Sequence, residues 1–368
     1  MSQTTPNIRI ITFGEIMGRL TPPGFMRLRQ GLPGSLNVTF AGAEANVAAS
    51  LSFLGADATF VTALPNNDLA DACIATMQAA GIASHVLRTD YGRLGLYFLE
   101  TGANQRPSRV IYDRDHSAIS QTDASAYDWN GIVQGAGWLH VSGITPAVSS
   151  QAAEATITAV REAKAAGLTV SCDLNFRGKL WRWEPGSSPR DLAQKVMPEV
   201  LASVDVLIAN EEDCGDVLGI HPEDSDALAG RLQIDRYPEV ARRVVERFPH
   251  LQMVATTLRQ SISASHNRWG AMLYEASQDR VSFAPQSDDG YQPYEIRNIV
   301  DRVGGGDSFA AGLIFGLTCE DFPTAADALN FAVAASCLAH SIEGDFNFST
   351  RAEIEALAAG SSAGRVVR

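Results

Sequence analysis

The feature that most restricts the fold is a rhythm. From residue 43 onward, short β-type runs alternate with segments of helical periodicity. Residues 43–54 read as a helix of small and apolar side chains, 58–64 as a strand and 67–80 as the next helix. After an interruption the alternation resumes with strand 137–141, helix 150–166, strand 168–173, helix 190–202 and strand 205–209. Apolar strands joined by helical crossovers are what a parallel sheet covered on both faces requires. The expected fold is therefore α/β, with a central, mostly parallel sheet flanked by helices on both faces.

Two stretches break the rhythm. The first β-like run, 8–13, is followed by Gly14 and by a Pro/Gly-rich interval, 21–34, that cannot be helical throughout. Residues 93–100 and 108–112 are β-rich runs on either side of the turn-like TGANQRP, and they read as a hairpin outside the main sheet. The expectation is one main body, 1–13, 41–92 and 115–368, with a small discontinuous β-sheet made of 14–40 and 93–114. Further along, a polar acidic interval at 223–235 precedes a helix around 239–248. Short β-runs at 252–257, 261–265, 271–274 and 280–283 read as antiparallel, and apolar helices at 308–317 and 323–340 follow. A helix at 351–359 leads into a Gly/Ser-rich tail expected to fray.

Composition narrows the partners. At 368 residues with 45% hydrophobic and 19% charged residues, the chain has ample material for a core. A formal charge of -13 argues against general affinity for nucleic acid or anionic membranes. Cys73, Cys172, Cys214, Cys319 and Cys337 form no CxxC pair and are odd in number, so buried reduced thiols are expected rather than disulfides or a zinc knuckle. Neither a signal-peptide pattern nor an apolar stretch of membrane-spanning length is evident, so the expected location is the cytoplasm.

The chemistry concentrates at 301–312, DRVGGGDSFAAG, where three glycines and Asp307 precede an apolar helix. Glycines there let backbone N–H groups turn toward one point, and a helix N-terminus favours anions, which suits a developing phosphoryl charge. A tight turn with Asp307 as N-cap would satisfy the same local pattern. The segment is not a P-loop, because the Gly178–Lys179 pair lacks a following Ser or Thr.

This segment resembles the second signature of the ribokinase-like, or PfkB, carbohydrate kinase family, and AGAEANVA at 41–48 resembles the first. The resemblance implies ATP and Mg²⁺ as cofactors, Gly304, Gly305 and Gly306 as an anion hole, and Asp307 as the base that takes the proton of the acceptor hydroxyl. The dipole of the following helix is expected to keep Asp307 ionised. It also implies sugar contacts from Gly42 and Asn46. NEED at 210–213 resembles the family's N-x-x-E motif, implying a nucleotide role for Asn210 and a magnesium role for Asp213, where a shorter carboxylate stands in the usual Glu position; Glu211 and Glu212 are alternatives. Thr257 and Arg259 are the further nucleotide-site candidates, and the tail 330–347 is expected beside the base.

Within the family, FGEIMGRLTPPG, VIYDRDHSA, DLNFRGKLW and HSIEGDFNFST resemble the branch that phosphorylates 2-keto-3-deoxygluconate. That likeness spans nearly the whole chain. It implies an acceptor site of Gly42, Tyr97, Tyr112, Arg114 and Arg177, with two buried arginines meeting the sugar-acid carboxylate; a keto-acid needs such countercharge and a neutral pentose does not. Asp173 and Asn175 fall with Arg177 at a strand end, the usual ligand edge of an open α/β sheet. The small sheet becomes a lid, through which a homo-oligomer is expected. The alternatives are a kinase for fructose, tagatose or the galactonate epimer, or a sugar sensor that retains the fold.

Overall fold

The computed structural model describes residues 4–210, 212–222, 234–287 and 290–361. Along the chain these form strands β1 (Arg9–Phe13), β2 (Met17–Thr21), β3 (Asn37–Ala41), β4 (Asp57–Pro65), β5 (Ala83–Thr89), β6 (Gly95–Glu100), β7 (Arg109–Asp113) and β8 (Ala136–Ser142). They continue with β9 (Thr169–Asp173), β10 (Val206–Ala209), β11 (Met253–Ser263), β12 (His266–Glu275), β13 (Arg280–Ala284), β14 (Gln286–Ser287), β15 (Gly290–Tyr291) and β16 (Tyr294–Arg297).

The main sheet runs in the order β13-β12-β11-β10-β9-β8-β1-β4-β5, with β16 also on β12. From β5 to β11 neighbouring strands are parallel; β12, β13 and β16 extend the sheet antiparallel. The chain leaves β1 toward β4 on one side and returns through β8 on the other. Open α/β sheets place their ligands at such a switch, outside the carboxyl ends of the strands.

Alternation along each strand builds a separate core on each face. Ile11, Phe13, Val61 and Leu139 join the core beneath helices Ser150–Ala165 and Pro189–Leu201; Ile10, Phe60 and Leu273 join the other, beneath helices Ala43–Phe53, Gly305–Thr318 and Ala325–Ala339. The last two helices touch closely because Gly312 and Gly316 carry no side chain. A Cβ there would lie 2.8 Å from Ala332 Cα and 2.7 Å from Ala328 Cα. That contact fixes the helix whose first turn holds the glycine triplet.

The second sheet, β3-β2-β6-β7, stands apart from the first. β2 pairs with β3 and β6 with β7 antiparallel, while β2 and β6 are parallel. Two expectations change in the structure. The runs at 252–257 and 261–265 are one strand, β11, because β12 pairs along nearly its whole length. Strands β5 and β16, which carry few continuous apolar residues, form where β4 and β12 offer free edges. The acidic interval at 223–235 lies almost wholly outside the described residues.

Candidate active site

A cleft of about 330 Å³ opens between the carboxyl ends of the parallel strands and the inner face of the small sheet. Gly42, Asn46, Tyr97, Tyr112, Arg114, Arg177, Asn210, Asp213, Thr257, Arg259 and the segment Gly304 to Asp307 all line it. Residues scattered over more than two hundred positions thus converge on one space.

At its floor, Asp301 Oδ1 accepts from the amides of Arg302 (2.8 Å) and Val303 (3.2 Å), which turns the chain into Gly304. Gly304 has φ +82°, the left-handed region, and a Cβ would collide with the carbonyl oxygen of Asp345, so both conformation and space require glycine. Gly305 faces His340, while Gly306 is exposed with nothing near its missing side chain. The first amides of the helix Gly305–Thr318 have no carbonyl partner within the helix, as at every helix start, and they bring the positive end of its dipole to the cleft.

Asp307 stands in that first turn. Its Oδ2 accepts from Asn46 Nδ2 at 2.7 Å, and Asn46 Oδ1 in turn accepts from the Gly42 amide at 3.2 Å. Gly42 is glycine because its Cα lies against the Glu15 carbonyl. The two glycine-rich segments therefore meet through one hydrogen bond. Loss of solvation raises Asp307 from its ordinary value to about 6, opposed by the Asn46 bond and by the Arg177 charge. The dipole does not hold it in the usual carboxylate range, although the group remains mostly ionised at neutral pH.

Other acids gather nearby. Asp173 ends β9, is 8% exposed, and is held well above its ordinary value by burial and by the charges of Asp213 and Asp307. Glu44, 1% exposed, is pushed up to about 7 by burial; its Oε1 accepts from the Ser142 amide, Ser142 Oγ and Thr145 Oγ1, and its Oε2 has no partner. Among the described residues no arginine or lysine pairs with Asp173, Asp307 or Glu44 at ion-pair distance.

The expected two buried arginines are one buried and one exposed. Arg114 is 4% exposed, but its Nε donates to Glu15 Oε2 at 2.7 Å and its Nη2 to the same oxygen, so that charge is already balanced. Arg177 is exposed at the mouth, with one bond, Nη1 to the Phe176 carbonyl at 3.0 Å. Tyr97 and Tyr112 face each other across β6 and β7; the Tyr97 hydroxyl donates to Asp345 Oδ2 at 2.8 Å.

Asp213 is 2% exposed, with Oδ1 taking the Phe176 amide (3.2 Å) and Oδ2 the Asn210 amide (3.0 Å). Asn210 Oδ1 accepts from the amides of Glu212 and Asp213, so the NEED turn is closed on itself. Glu211 lies outside the described residues. Thr257 is buried and donates weakly to the Ala209 carbonyl, and Arg259 is exposed beside it. Of the tail 330–347, Asn330 bonds the Ala358 carbonyl, whereas His340 and Asp345 reach the cleft. Sequence reasoning missed Glu15, Arg19 and Asp345, whose partners are distant in the chain.

Magnesium would find a partial fit. Among the described residues no three His, Cys, Asp or Glu side chains group into a metal-holding set. Mg²⁺ commonly takes one or two carboxylates and completes its shell with phosphate and water, and Asp173 and Asp213 are carboxylates that line the cleft.

A family model described as pfkB family carbohydrate kinase matches residues 8–240. A 2-dehydro-3-deoxygalactonokinase of Haloferax volcanii is 32% identical over 357 residues, covering 96% of this chain and 98% of that protein. A fructokinase of Klebsiella pneumoniae is 28% identical over 90% of the chain and 92% of its own length. Among solved structures, the 2-dehydro-3-deoxygluconokinase of Thermotoga maritima is 45% identical, superposes with a TM-score of 0.85, and covers 96% of this chain and 100% of that one.

Proposed function

The chain belongs to the pfkB family of carbohydrate kinases, and from that premise we propose that it transfers the γ-phosphoryl group of ATP to the terminal hydroxyl of 2-keto-3-deoxygluconate, giving 2-keto-3-deoxy-6-phosphogluconate. The observation that supports this most directly is Asp307, held by Asn46 in the first turn of a helix whose free amides face the same cleft. The 45% identity to the Thermotoga maritima enzyme supports the choice of acceptor.

The residues divide the work as phosphoryl transfer needs: positioning, stabilisation of charge, and one base beside the nucleophile. Asp307 takes the proton of the acceptor hydroxyl, which its value of about 6 permits at neutral pH. The amides of Gly304, Gly305 and Gly306, continued by that of Asp307 in the first turn, receive the charge that develops on the transferred group. Arg177, at the mouth and free of a carboxylate partner among the described residues, meets the sugar-acid carboxylate by a two-point hydrogen bond; Gly42 and the tyrosines of the lid wall the sugar. Asn210, Thr257 and Arg259 line the nucleotide side. Bound Mg²⁺ would neutralise phosphate charge there, with Asp213 shaping the turn and touching the ion through water at most. Closing the lid excludes water, which competes for the phosphoryl group.

A second reading is favoured by the Haloferax volcanii relative: the galactonate epimer as acceptor, differing by one hydroxyl. The outer lid face is apolar, with Val38 61% and Ile111 54% exposed, which supports association of two copies through it. Among the described residues no helix is long and apolar enough to cross a membrane, and all five cysteines are free; with ATP as donor this supports a cytoplasmic location.

The test is ADP release from Mg-ATP with 2-keto-3-deoxygluconate, its galactonate epimer, fructose, tagatose and ribose, run beside light scattering for mass. Turnover of an acid sugar is expected, with a mass above the 39.4 kDa of one chain. Turnover of neutral sugars alone would overturn the acceptor assignment, and a mass of one chain would overturn the association.

A further inference from the structure

Arg19 is a buried cation whose job the reaction scheme leaves open. It lies on β2 in the lid, 3% exposed, and its guanidinium bridges Asp301 and Asp345, which are 4% and 7% exposed. Both carboxylates belong to the loops that shape the glycine turn. Asp301 Oδ1 takes the amides of Arg302 and Val303, and Oδ2 also takes the Gly344 amide at 3.3 Å. The backbone of Asp345 sits against Gly304, so closely that no side chain fits between them.

Without the cation, two acids would face each other away from water. Burial raises Asp345, and the Arg19 charge and hydrogen bond oppose that rise. A guanidinium suits the position because its planar fork reaches both carboxylates at once, which an ammonium does poorly. A second contact from the lid leads to the same turn. The Ala264 amide donates to the Asn104 carbonyl at 2.7 Å and the Asn104 amide to Ser265 Oγ at 3.0 Å, while Arg302 Nη2 donates to the carbonyls of Ser263 and Ala264. Both routes join the lid to the residues immediately before Gly304.

We propose that Arg19 is a positioning residue for phosphoryl transfer: by fastening the lid to the 301–304 and 344–345 loops, it sets the register of the glycine-turn amides and makes that register depend on lid position. The inference rests on the kinase reading above. It does not depend on which sugar is the acceptor.

The experiment compares wild type, Arg19→Lys and the double variant Arg19→Met/Asp345→Asn, which removes one charge of each sign. Each is assayed on whichever panel sugar the wild type turns over, so a wrong acceptor assignment leaves the test intact. A misplaced donor turn is expected to lower kcat about 10- to 100-fold in both variants, with the sugar KM within about threefold and Tm held in at least one of them. Three results overturn the proposal: kcat retained within about twofold in a folded variant; KM raised with kcat unchanged, the mark of a substrate contact; or a kcat loss matching the loss of folded protein.

Discussion

The two walls of the cleft treat charge in opposite ways. On the lid side each buried arginine is already paired: Arg19 with Asp301 and Asp345, Arg114 with Glu15. On the main-body side Asp307 and Asp173, which line the cleft, and Glu44, which is buried and does not line it, have no ion-pair partner among the described residues, and burial raises all three. A balanced wall can hold a shape without a ligand. An unbalanced wall lowers its own stability until something positive or proton-rich arrives, which is what an acceptor hydroxyl and the Mg²⁺ of a bound nucleotide would supply. The difference teaches where geometry is kept and where chemistry is done.

The strongest way to break this division is Asp307→Asn. The amide oxygen can still accept from Asn46, so the fold is expected to survive, while kcat falls about a thousandfold, in the range of a lost general base. The pH profile follows from the same residue. Its carboxyl must be ionised to accept a proton, so wild-type kcat/KM is expected to fall as pH drops through about 6, and the residual rate of the variant should lack that step. Steady-state ADP release between pH 5 and 8 reads both. Unchanged turnover in the variant would move the chemistry to another group.

Glu44 tests whether the buried acids of the main body strain the fold. Its folded value, about 7, lies above the ordinary 4.5. The folded state therefore binds the proton more tightly than the unfolded chain, so this contribution is present at low pH and is lost as pH rises through about 7. Glu44→Gln mimics the protonated form and fills the place of the orphan Oε2 with an amide. The variant is expected to gain about 2–3 kcal/mol relative to wild type between pH 5 and pH 8. Urea unfolding at the two values measures it, and a pH-independent difference would show that Glu44 is not strained.

What the sequence disclosed divides along the same line. The glycine turn was legible because its causes are local: Asp301, Gly304 and Asp307 lie within seven positions, and the conformational needs of Gly304 can be read from the helix start. The parallel sheet was legible because strand and helix periods repeat. The lid-side pairs were not. Arg19 meets Asp345 across 326 positions and Arg114 meets Glu15 across 99, and no local pattern says which acid a given arginine will find. Hence Arg114 was expected as countercharge for a substrate although Glu15 already balances it. Asp213 was legible in part: Asn210 and Asp213 exchange bonds within four residues, a turn-building pattern that the NEED motif carries alongside its nucleotide and magnesium reading.

The two arginines once expected to do the same work offer the finest test. Arg114→Met leaves Glu15 buried beside an apolar chain, and breaking a buried pair from one side costs about 3–5 kcal/mol, so its main effect should be a lower Tm. Arg177 is exposed and pairs with no carboxylate at ion-pair distance among the described residues, and its charge reaches the buried acids only across space, so Arg177→Met should lower Tm much less than Arg114→Met. Its effect should appear in binding instead, as a KM for the acid sugar raised about 10- to 100-fold, the worth of a charge-assisted hydrogen bond, with a smaller change for a neutral sugar. Should Arg114→Met raise that KM at constant Tm, the lid arginine would be a ligand after all and the two walls would not differ as described. Should Arg177→Met leave the acid-sugar KM in place, the carboxylate of the substrate is held elsewhere, and the unbalanced wall answers to the nucleotide and the acceptor hydroxyl alone.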